Sequence, residues 1–569
     1  MLQRPQYVAA NRHYGEKNKV MRRTIALSLV TVWLAGIVLN PGTLGAAGFG
    51  KAASSQSGSA KTRTRATATP IQHIVVIFQE NVSFDHYFGT YPNAANPAGE
   101  PQFTALPNTP TVNGLTSSLL TYNPNFLNAN NAAGAANPFR LDRTQNYTAD
   151  QDHDYTAEQS AFDTGLMDAF PLNTGTAGPP PNPPPGTVTT TGLVMGYFDG
   201  NTVTALWNYA QHFAMSDNSF GTTFGPSTPG VLNLVSGQTN GVSATLNGTG
   251  DETDGGNGTL TVIGDPDPIG DVCSSATRNQ VSMGGTNIGN LLTNAGVTWG
   301  SFMGGFNLSL VNGNGSTGCT RNTTSTFTGT NNNDYIPHHA FFQYYPSTAN
   351  PTHARPTSVH TIGHPGDPAN NQYDLNDFFA AINAGNFPAV SFLKAKAIED
   401  GHAGYSSPLD EQAFLANTLN FLQQRPEWSS TLVVVLYDDS DGWYDHQMGP
   451  VVNQSSGSAD TLTGPGTCGN GNTALPGLTS ANPHAIGRCG YGPRLPLVVI
   501  SPYAKANFVD HTVTDQTSVI HFIEDNWLGG QRIGGGSFDA LSGTINNMLN
   551  FSQAPNPILL INPVSGEPE

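Results

Sequence analysis

Two oxygen-rich dipeptides follow directly after strongly apolar runs of the chain. HIVVIF, which starts at residue 73, is followed by Gln79 and then by Glu80-Asn81, and Asp438-Asp439 come just after TLVVVLY, which starts at residue 431. Because neighbouring residues of a strand point to opposite faces, both members of a pair can turn toward one ion only where the strand ends. Carboxylate and amide oxygens suit a hard divalent cation such as Ca²⁺, Mg²⁺ or Mn²⁺, with Zn²⁺ as a further candidate. The alternatives are a helix cap at Glu80-Asn81 and an Asx-type turn at Asp438-Asp439, but the shared position at strand ends favours a metal site.

A candidate nucleophile lies between two prolines. Ser227 and Thr228 follow Pro226 and precede Pro229, and the apolar stretch VLNLVSG comes next. Proline beside a hydroxyl residue is typical of a helix N-terminus, where unpaired backbone N–H groups and the helix dipole favour a phosphate group. A plain helix-capping serine is the commoner interpretation of this pattern. A metal ion nearby favours the nucleophile instead, because coordination lowers the hydroxyl pKa and makes an alkoxide available.

Histidines are numerous for a chain with so few charges, and several fall in polar clusters. There are 15 in all. The clusters are DQDHDY with His153, IPHHAFF with His338 and His339, EDGHAGY with His402, and YDH with His446. Any single one is more often structural, but four clusters favour a shared role in metal ligation or in general acid catalysis near neutral or mildly acid pH.

The apolar runs predict the scaffold that positions these residues. Predicted strands cover residues 73–78, 297–303, 389–393, 431–437 and 495–500, each a continuous apolar run of the type buried on both faces of a parallel sheet. Predicted helices cover residues 203–213, 290–295, 375–384, 412–423 and 517–527. Alternating strands and helices predict a doubly wound α/β core. In such a core ligands bind beyond the carboxyl ends of the strands, where both dipeptides stand.

The chain divides into four segments by composition. Residues 1–46 are predicted to be an N-terminal extension and an export signal, because paired arginines precede a 15-residue apolar run and small residues follow it; an uncleaved anchor is the alternative. Residues 47–70 are predicted to form a linker, 71–555 one large domain, and 556–569 a C-terminal tail. Segments 92–138, 171–191 and 238–287, rich in Asn, Gly, Pro and Thr, are predicted to be long surface insertions without cores of their own.

Composition excludes some classes of protein. Charged residues make up 11% of the 569 residues and the formal charge is -18, so no basic stripe is present for nucleic acid. Aromatic residues at 9% exclude a disordered acidic protein. An exported chain favours disulfides over free thiols for Cys273, Cys319, Cys468 and Cys489. Three pairings are open, of which the sequence-local one would join Cys273 to Cys319 and Cys468 to Cys489.

Five motifs together resemble one family. IQHIVVIFQENVSFDHYFG is similar to the opening motif of the bacterial phosphoesterase family that contains the non-haemolytic type phospholipases C and related acid phosphatases. The resemblance continues through DHDYTAEQSAFDTGLMDAF, SDNSFGTTFGPSTPGVLNLVSG, EDGHAGYSSPLDEQ and YDDSDGWYDH, from about residue 71 to about residue 525 and in family order. The last two motifs are closer to the acid-phosphatase branch. One departure is Val82-Ser83, where Arg-Ser is usual in the family.

The resemblance implies a fold, a metal and a site. The implied fold is alkaline-phosphatase-like α/β, with a mostly parallel central sheet, helices on both faces and long loop insertions. One divalent metal ion, Ca, Zn, Mg or Mn, would be held by Glu80, Asn81, Asp438 and Asp439, with Ser227 as nucleophile also touching it. The residues implied to bind substrate oxygens or to protonate the leaving group are His153, His338, His339 and His402.

The implied activity is that of a secreted or cell-envelope phosphoric-ester hydrolase of the phospholipase C or acid phosphatase type, acting through a phosphoserine intermediate. Its substrate would be a phospholipid or a small phosphomonoester, with at most peripheral membrane contact, since the sequence offers no amphipathic basic helix. One alternative is an acid phosphomonoesterase without phospholipase activity. A second, of another class, is a non-catalytic secreted protein that binds glycans or surfaces on the same scaffold.

Overall fold

A central sheet of eight strands organises the protein in the computed structural model, which describes residues 66–175, 191–469 and 485–569. In chain order the strands are β1 (His73–Gln79), β2 (Ala214–Ser216), β3 (Trp299–Met303), β4 (Gln372–Asp374), β5 (Val390–Lys394), β6 (Thr431–Tyr437), β7 (Leu497–Ile500) and β8 (Phe508–Asp510). Across the sheet they run in the order β4–β3–β5–β1–β6–β7–β2–β8. Seven strands share one direction, and β7 is antiparallel to both of its neighbours.

All five predicted strands belong to this sheet, which confirms the α/β class and the mostly parallel sheet. The run at 495–500 forms β7, the antiparallel strand, because a continuous apolar run reports burial on both faces and carries no information on direction. The short strands β2, β4 and β8 were not predicted, since three residues are too few to show a run.

Eleven α-helices lie within the described residues. They are α1 (Phe84–Phe88), α2 (Ser117–Thr121), α3 (Pro124–Leu127), α4 (Tyr155–Ala161), α5 (Phe170–Asn173), α6 (Thr204–His212), α7 (Ser227–Ser236), α8 (Ile288–Ala295), α9 (Leu375–Asn383), α10 (Pro408–Gln423) and α11 (Ser518–Trp527). The five predicted helices correspond to α6, α8, α9, α10 and α11. The largest difference is in α10, which begins four residues earlier than predicted, because the Ser407 hydroxyl accepts from the backbone N–H of Asp410 and caps it.

The register of the three middle strands brings their carboxyl ends together. Gln79 of β1 pairs with Tyr437 of β6, so the residues after each strand emerge side by side. On the other edge of β1, Ile77 pairs with Leu393 of β5. Every residue of β6 is buried, so both faces of the sheet are covered at this strand. The carboxyl ends of β1, β5 and β6 lie together at one edge of the sheet.

The segment 238–287 carries a second sheet of five strands, Asn240–Leu246, Glu252–Asp254, Leu260–Val262, Asp267–Pro268 and Gln280–Met283. Shorter two-stranded pairings join 139–140 to 196–197, 219–220 to 514–515 and 322–324 to 331–333. Disulfides join Cys273 to Cys319 and Cys468 to Cys489, which is the sequence-local pairing among the three that were open.

Some predictions fall outside the described residues. The predicted export signal in 1–46 and most of the predicted linker lie there, as does most of the predicted insertion at 171–191. Within the described ranges, no helix is both long and apolar enough to cross a membrane. The division into segments at 46, 70 and 555 stays a prediction.

Candidate active site

The two dipeptides and Ser227 meet at the carboxyl edge of the sheet. Ser227 Oγ lies 3.0 Å from Glu80 Oε2 and 3.4 Å from Asp439 Oδ2. The backbone N–H of Asn81 lies 3.4 Å from Asp438 Oδ1, which links the two strand ends. All five residues are at most 3% exposed. Residues separated by up to 357 positions in the chain are therefore in contact at one buried point.

Helix α7 presents Ser227 to the strand ends, and a glycine allows the approach. The helix begins at Ser227, and Gly230 lies one turn further on, against the end of β6. A Cβ atom on Gly230 would stand 2.5 Å from the Asp438 carbonyl oxygen and 2.8 Å from the Asp438 Cβ. Only glycine fits there without moving the helix away from the carboxylates.

The structure decides between the local alternatives for these residues. Pro226 is the N-cap of α7 and Ser83 is the N-cap of α1, so neither Ser227 nor Glu80-Asn81 serves as a cap. Asp439 does close an Asx-type turn, since the backbone N–H of Asp441 donates to its Oδ1 at 2.7 Å. Its other oxygen faces Ser227, so the turn and the site use different atoms of one carboxylate.

Lys394, the last residue of β5, lies inside the site. Its Nζ pairs with Glu80 Oε1, lies 3.9 Å from Asp438 Oδ2, and the side chain is 1% exposed. His339 Nδ1 also contacts Glu80 Oε1, at 3.1 Å. Glu80 thus divides its two oxygens, with Oε1 held by Lys394 and His339 and Oε2 directed to Ser227.

The carboxylates are electrostatically crowded. Burial, followed by the charge of Asp438, raises the pKa of Glu80 well above its ordinary value, and the same two causes raise the pKa of Asp439. Burial alone would lower the pKa of Lys394, but the neighbouring carboxylates outweigh it and the pKa is raised. Such a cluster of mutually perturbed buried groups is typical of a functional site.

The donor set fits a divalent cation. Within the described residues, Asn81 Oδ1 and Asp438 Oδ2 are buried and accept no hydrogen bond. Glu80 Oε2 and Asp439 Oδ2, which both contact Ser227 Oγ, are two further oxygen donors on these neighbouring and negatively charged residues. Unpaired buried oxygens are costly unless a cation or a donor satisfies them, and oxygen ligands of this kind suit a hard divalent ion.

Three of the four histidines predicted to bind substrate lie at this cluster. Two of them contact its residues, and the third lies beside one of those two. His339 contacts Glu80 as described, and His153 Nε2 lies 3.4 Å from Asn81 Nδ2. The His402 ring lies 5.9 Å from the His153 ring, centroid to centroid. In both His153 and His402 the Nδ1 atom faces a backbone carbonyl, of Gln151 at 2.8 Å and of Ala403 at 2.5 Å. An Nδ1–H donated to that carbonyl directs Nε2 away from it.

The charge states of these histidines differ. Burial lowers the pKa of His402 and, together with the charge of His338, lowers that of His339. Burial also acts to lower the pKa of His153, but the carboxylates of Asp439, Asp150 and Asp441 outweigh it and raise that pKa well above its ordinary value.

His338 lies farther out, on a second group of acids. Its Nδ1 is 3.7 Å from Asp267 Oδ1, and its ring stands 4.6 Å from that of His339. The nearby Asp265 accepts a hydrogen bond from the backbone N–H of Thr228, the residue after Ser227, at 2.8 Å. The insertion 238–287 therefore reaches the start of α7.

Glu158 of α4 ties two parts of the site together. Its Oε1 accepts from the Ser440 hydroxyl at 2.5 Å, and its Oε2 accepts from the backbone N–H of Gly225 at 3.1 Å. Gly225 precedes Ser227 by two residues, and Ser440 follows Asp439 directly. Burial raises the pKa of Glu158 to about 7. This one carboxyl group bridges the loop before the serine and the turn after the acidic pair.

Behind the strand ends, Glu411 of α10 is buried between two tyrosines. The Tyr437 hydroxyl donates to its Oε1, and the Tyr87 hydroxyl donates to its Oε2 at 2.9 Å. Burial raises the pKa of Glu411 to about 8. Tyr437 is the residue before Asp438, so this contact supports the end of β6.

His446, the remaining histidine of the sequence clusters, belongs to a different network. Its Nδ1 lies 2.6 Å from Asp85 Oδ2, and Arg494 Nη2 bonds the other oxygen of Asp85 at 3.0 Å. Arg494 is fully buried and also pairs with Asp445 at 3.1 Å. These contacts join α1 to the loop after β6 and account for His446 structurally.

Lys394, Glu158 and Asp265 were not predicted from the sequence. Lys394 had a usable pattern, since it directly follows the apolar run at 389–393 and strand ends were already the place to look. Glu158 lies in a motif that resembled the family but had no assigned role. Asp265 had no pattern, because it belongs to an insertion rich in Asn, Gly and Asp.

The sequence is similar to several phospholipases C. It is 34% identical to a non-hemolytic phospholipase C of Pseudomonas aeruginosa over 158 residues, which are 26% of this chain and 21% of that protein. It is 26% identical to phospholipase C B of Mycobacterium tuberculosis over 504 residues, which are 86% of this chain and 79% of that protein. A non-hemolytic phospholipase C of Burkholderia pseudomallei is 25% identical over 81% of this chain and 56% of that protein.

Solved structures match at a remote level. Murine ectonucleotide pyrophosphatase / phosphodiesterase 5 matches 61% of this chain and 95% of its own, with 12% identity and a TM-score of 0.29. A mutant of the alkaline phosphatase PafA matches 60% of this chain and 93% of its own, with 11% identity and a TM-score of 0.30. The alkaline-phosphatase-like fold type stays a prediction.

The sequence profile of one family covers most of the chain. The profile described as the Phosphoesterase family matches residues 71–528, which include both dipeptides, Ser227 and all four predicted substrate-binding histidines. This match confirms the family predicted from the motifs and supports the predicted enzyme class, a hydrolase acting on phosphoric esters. The chain belongs to the Phosphoesterase family.

Proposed function

We propose that the protein is an exported, metal-dependent phosphoric-ester hydrolase of the phospholipase C or acid phosphatase type, which works through a phosphoserine intermediate. Family membership supports the reaction class. The observation that carries the finer proposal is the contact of Ser227 Oγ with Glu80 Oε2 and Asp439 Oδ2 at the ends of two adjacent strands.

Glu80, Asn81, Asp438 and Asp439 would hold the divalent cation. When bound, the cation supplies Lewis acidity, which lowers the pKa of a serine hydroxyl and withdraws charge from a phosphoryl oxygen. Lys394 holds Glu80 Oε1, so that Oε2 remains directed at Ser227. Glu158 fixes the loop that leads into Ser227.

The proposed reaction has two displacements. Ser227 first loses its hydroxyl proton to solvent. Its Oγ then attacks phosphorus in line and forms an Oγ–P bond, while the bond from phosphorus to the leaving oxygen breaks. A histidine of the set His153, His338, His339 and His402 donates a proton to that leaving oxygen. Water then gives one proton to that histidine and attacks the phosphoserine, the Oγ–P bond breaks, and the departing Oγ takes up a proton from solvent.

The test is turnover of p-nitrophenyl phosphate by Ser227→Ala, with Ser227→Thr as the matched control that keeps a hydroxyl. We expect Ser227→Ala to fold with one divalent ion per chain removable by chelator, and to lose turnover. Ser227→Thr is expected to retain part of it. Denaturing the wild type during turnover should leave one phosphoryl group on the peptide that contains Ser227. Turnover by Ser227→Ala at the wild-type rate would overturn the proposal.

A non-catalytic binding protein on this scaffold would have no need to keep these groups. That alternative predicts that some of five residues have been lost, namely Glu80, Asn81, Ser227, Asp438 and Asp439. In this chain all five are present and in contact. The choice between a phospholipase C and an acid phosphomonoesterase depends on the charge of the substrate.

A further inference from the structure

The helix that begins at Ser227 already carries an anion at its N-terminus. The backbone N–H of Thr228 donates to Asp265 Oδ1 at 2.8 Å. The next residue, Pro229, has no N–H to offer. A helix N-terminus normally binds a phosphate through such free N–H groups. Here the first turn of α7 has one donor occupied by a carboxylate of the protein and one donor missing.

Asp265 is held in this position by several contacts. It lies between the strands Leu260–Val262 and Asp267–Pro268 of the second sheet, and its backbone oxygen accepts from Arg278 Nε at 2.9 Å. Burial would raise the pKa of Asp265, but the charge of His338 and the hydrogen bond from Thr228 outweigh it and lower that pKa. The group is therefore a carboxylate bonded to the residue that follows the proposed nucleophile.

Fixed positive charge near Ser227 is scarce in the described part of the chain. Lys394 is paired with Glu80, and Arg278 is 41% exposed and lies 3.6 Å from Asp267. A phosphate dianion at Ser227 would meet the negative charge of Asp265, and neither Lys394 nor Arg278 is free to offset it. The cation of the proposed function and a protonated His153 would attract both kinds of ester, and neither changes when Asp265 is replaced. A monoanion carries half the charge and suffers correspondingly less repulsion.

We propose that Asp265 is a specificity-determining residue that selects phosphoric esters with one negative charge on the reacting phosphoryl group, that is, diesters, over dianionic monoesters. The inference rests on the proposed function and extends it to a substrate class. The Asp265 carboxylate accepts the hydrogen bond from Thr228 and supplies one negative charge near the bound ester. A dianionic ester would add a second negative charge there and would be repelled more strongly.

The test compares two esters with the same leaving group, p-nitrophenyl phosphate and methyl p-nitrophenyl phosphate. At about pH 8 the first is a dianion and the second a monoanion, because the second pKa of a phosphate monoester is about 6. Asp265→Asn keeps an oxygen that accepts from Thr228 and removes the charge. We expect kcat/KM for the monoester to rise ~10-fold relative to the diester, the size expected for one charge acting over several ångströms in a partly solvated site.

Two further variants complete the design. Asp265→Ser, which also keeps an oxygen acceptor, should shift the ratio in the same direction. Asp254→Asn removes the same charge from an exposed position of the same sheet and should leave the ratio unchanged. Inorganic phosphate, used as a competitive inhibitor, should bind more tightly to Asp265→Asn than to the wild type.

The outcomes separate the two proposals. The first case is that the wild type hydrolyses the esters but the monoester-to-diester ratio of kcat/KM in Asp265→Asn stays within about twofold of the wild-type ratio. The second is that this ratio changes equally in Asp254→Asn. Either result refutes the role of Asp265 and leaves the proposed function standing. If the wild type hydrolyses neither ester, the proposed function is refuted and this inference with it.

Discussion

Replacing Lys394 with methionine should strongly destabilise the metal-free protein. Methionine preserves most of the length and apolar character of the lysine stem, so the change removes the charge with little loss of packing. Lys394 is 1% exposed and pairs with Glu80, and Asp438 Oδ2 lies 3.9 Å from its Nζ. Its removal leaves these carboxylates buried without their cationic partner.

The structure allows the size of the effect to be worked out. Two unit charges about 4 Å apart interact by about 4 kcal/mol at an effective dielectric constant of about 20. Measured losses on breaking a buried ion pair are about 3–5 kcal/mol, because the remaining charge stays desolvated. We expect the free energy of unfolding of the chelator-treated protein to fall by this amount in Lys394→Met.

Guanidinium unfolding followed by tryptophan fluorescence, with the disulfides intact, measures this difference. Lys394→Arg keeps the charge and should lose less. Lys396→Met is the matched control two residues along the chain, since Lys396 is 31% exposed and lies 3.7 Å from Glu399. A pair this exposed is worth about 0–1 kcal/mol. Adding a divalent cation should narrow the gap between Lys394→Met and the wild type, because the cation offsets the same carboxylates. Equal losses in Lys394→Met and Lys396→Met would refute the reasoning.

Three further predictions concern residues around the site. Gly230→Ala should lower kcat/KM ~100-fold, since a Cβ there would stand 2.5 Å from the Asp438 carbonyl oxygen and a displacement of about 1 Å is costly in an active site. Gly250→Ala is the control, because the space around its Cβ is open. Equal kcat/KM values in the two variants would contradict the prediction. Glu158→Ala should lower kcat ~10-fold or more with little change in KM, because the loop before Ser227 loses the hydrogen bond from Gly225 to Glu158. Glu158→Gln should keep most of the wild-type kcat. A kcat as low as that of Glu158→Ala would show that the charge of Glu158 matters rather than its position. Glu411→Gln should become more stable relative to the wild type between about pH 6 and 8. Burial raises the pKa of Glu411 to about 8, so at pH values between the ordinary carboxyl pKa and about 8 only the unfolded chain gives up this proton. The wild type therefore loses about 3 kcal/mol of stability between about pH 6 and 8, and no more above that range. Unfolding curves at the two pH values measure the difference, and parallel pH dependence of the two proteins would contradict it.

The sequence alone determined the parts of the site that are adjacent in the chain. Glu80-Asn81 and Asp438-Asp439 could be found because each directly follows an apolar run, and a run of buried residues shows both the strand and its end. Ser227 could be found because the prolines around it are typical of a helix start. The family resemblance then linked these separate segments into one predicted site.

Only the tertiary structure decided which groups surround that site. Asp265 bonds to the amide of Thr228 across 37 residues, and Glu158 reaches Ser440 across 282. Such contacts depend on strand order, on register and on the path of an insertion. Local periodicity reports the burial of a residue and not its neighbours, so it could not show that β7 runs antiparallel. For the same reason it could not show that Lys394 lies against Glu80, although both residues stand at strand ends.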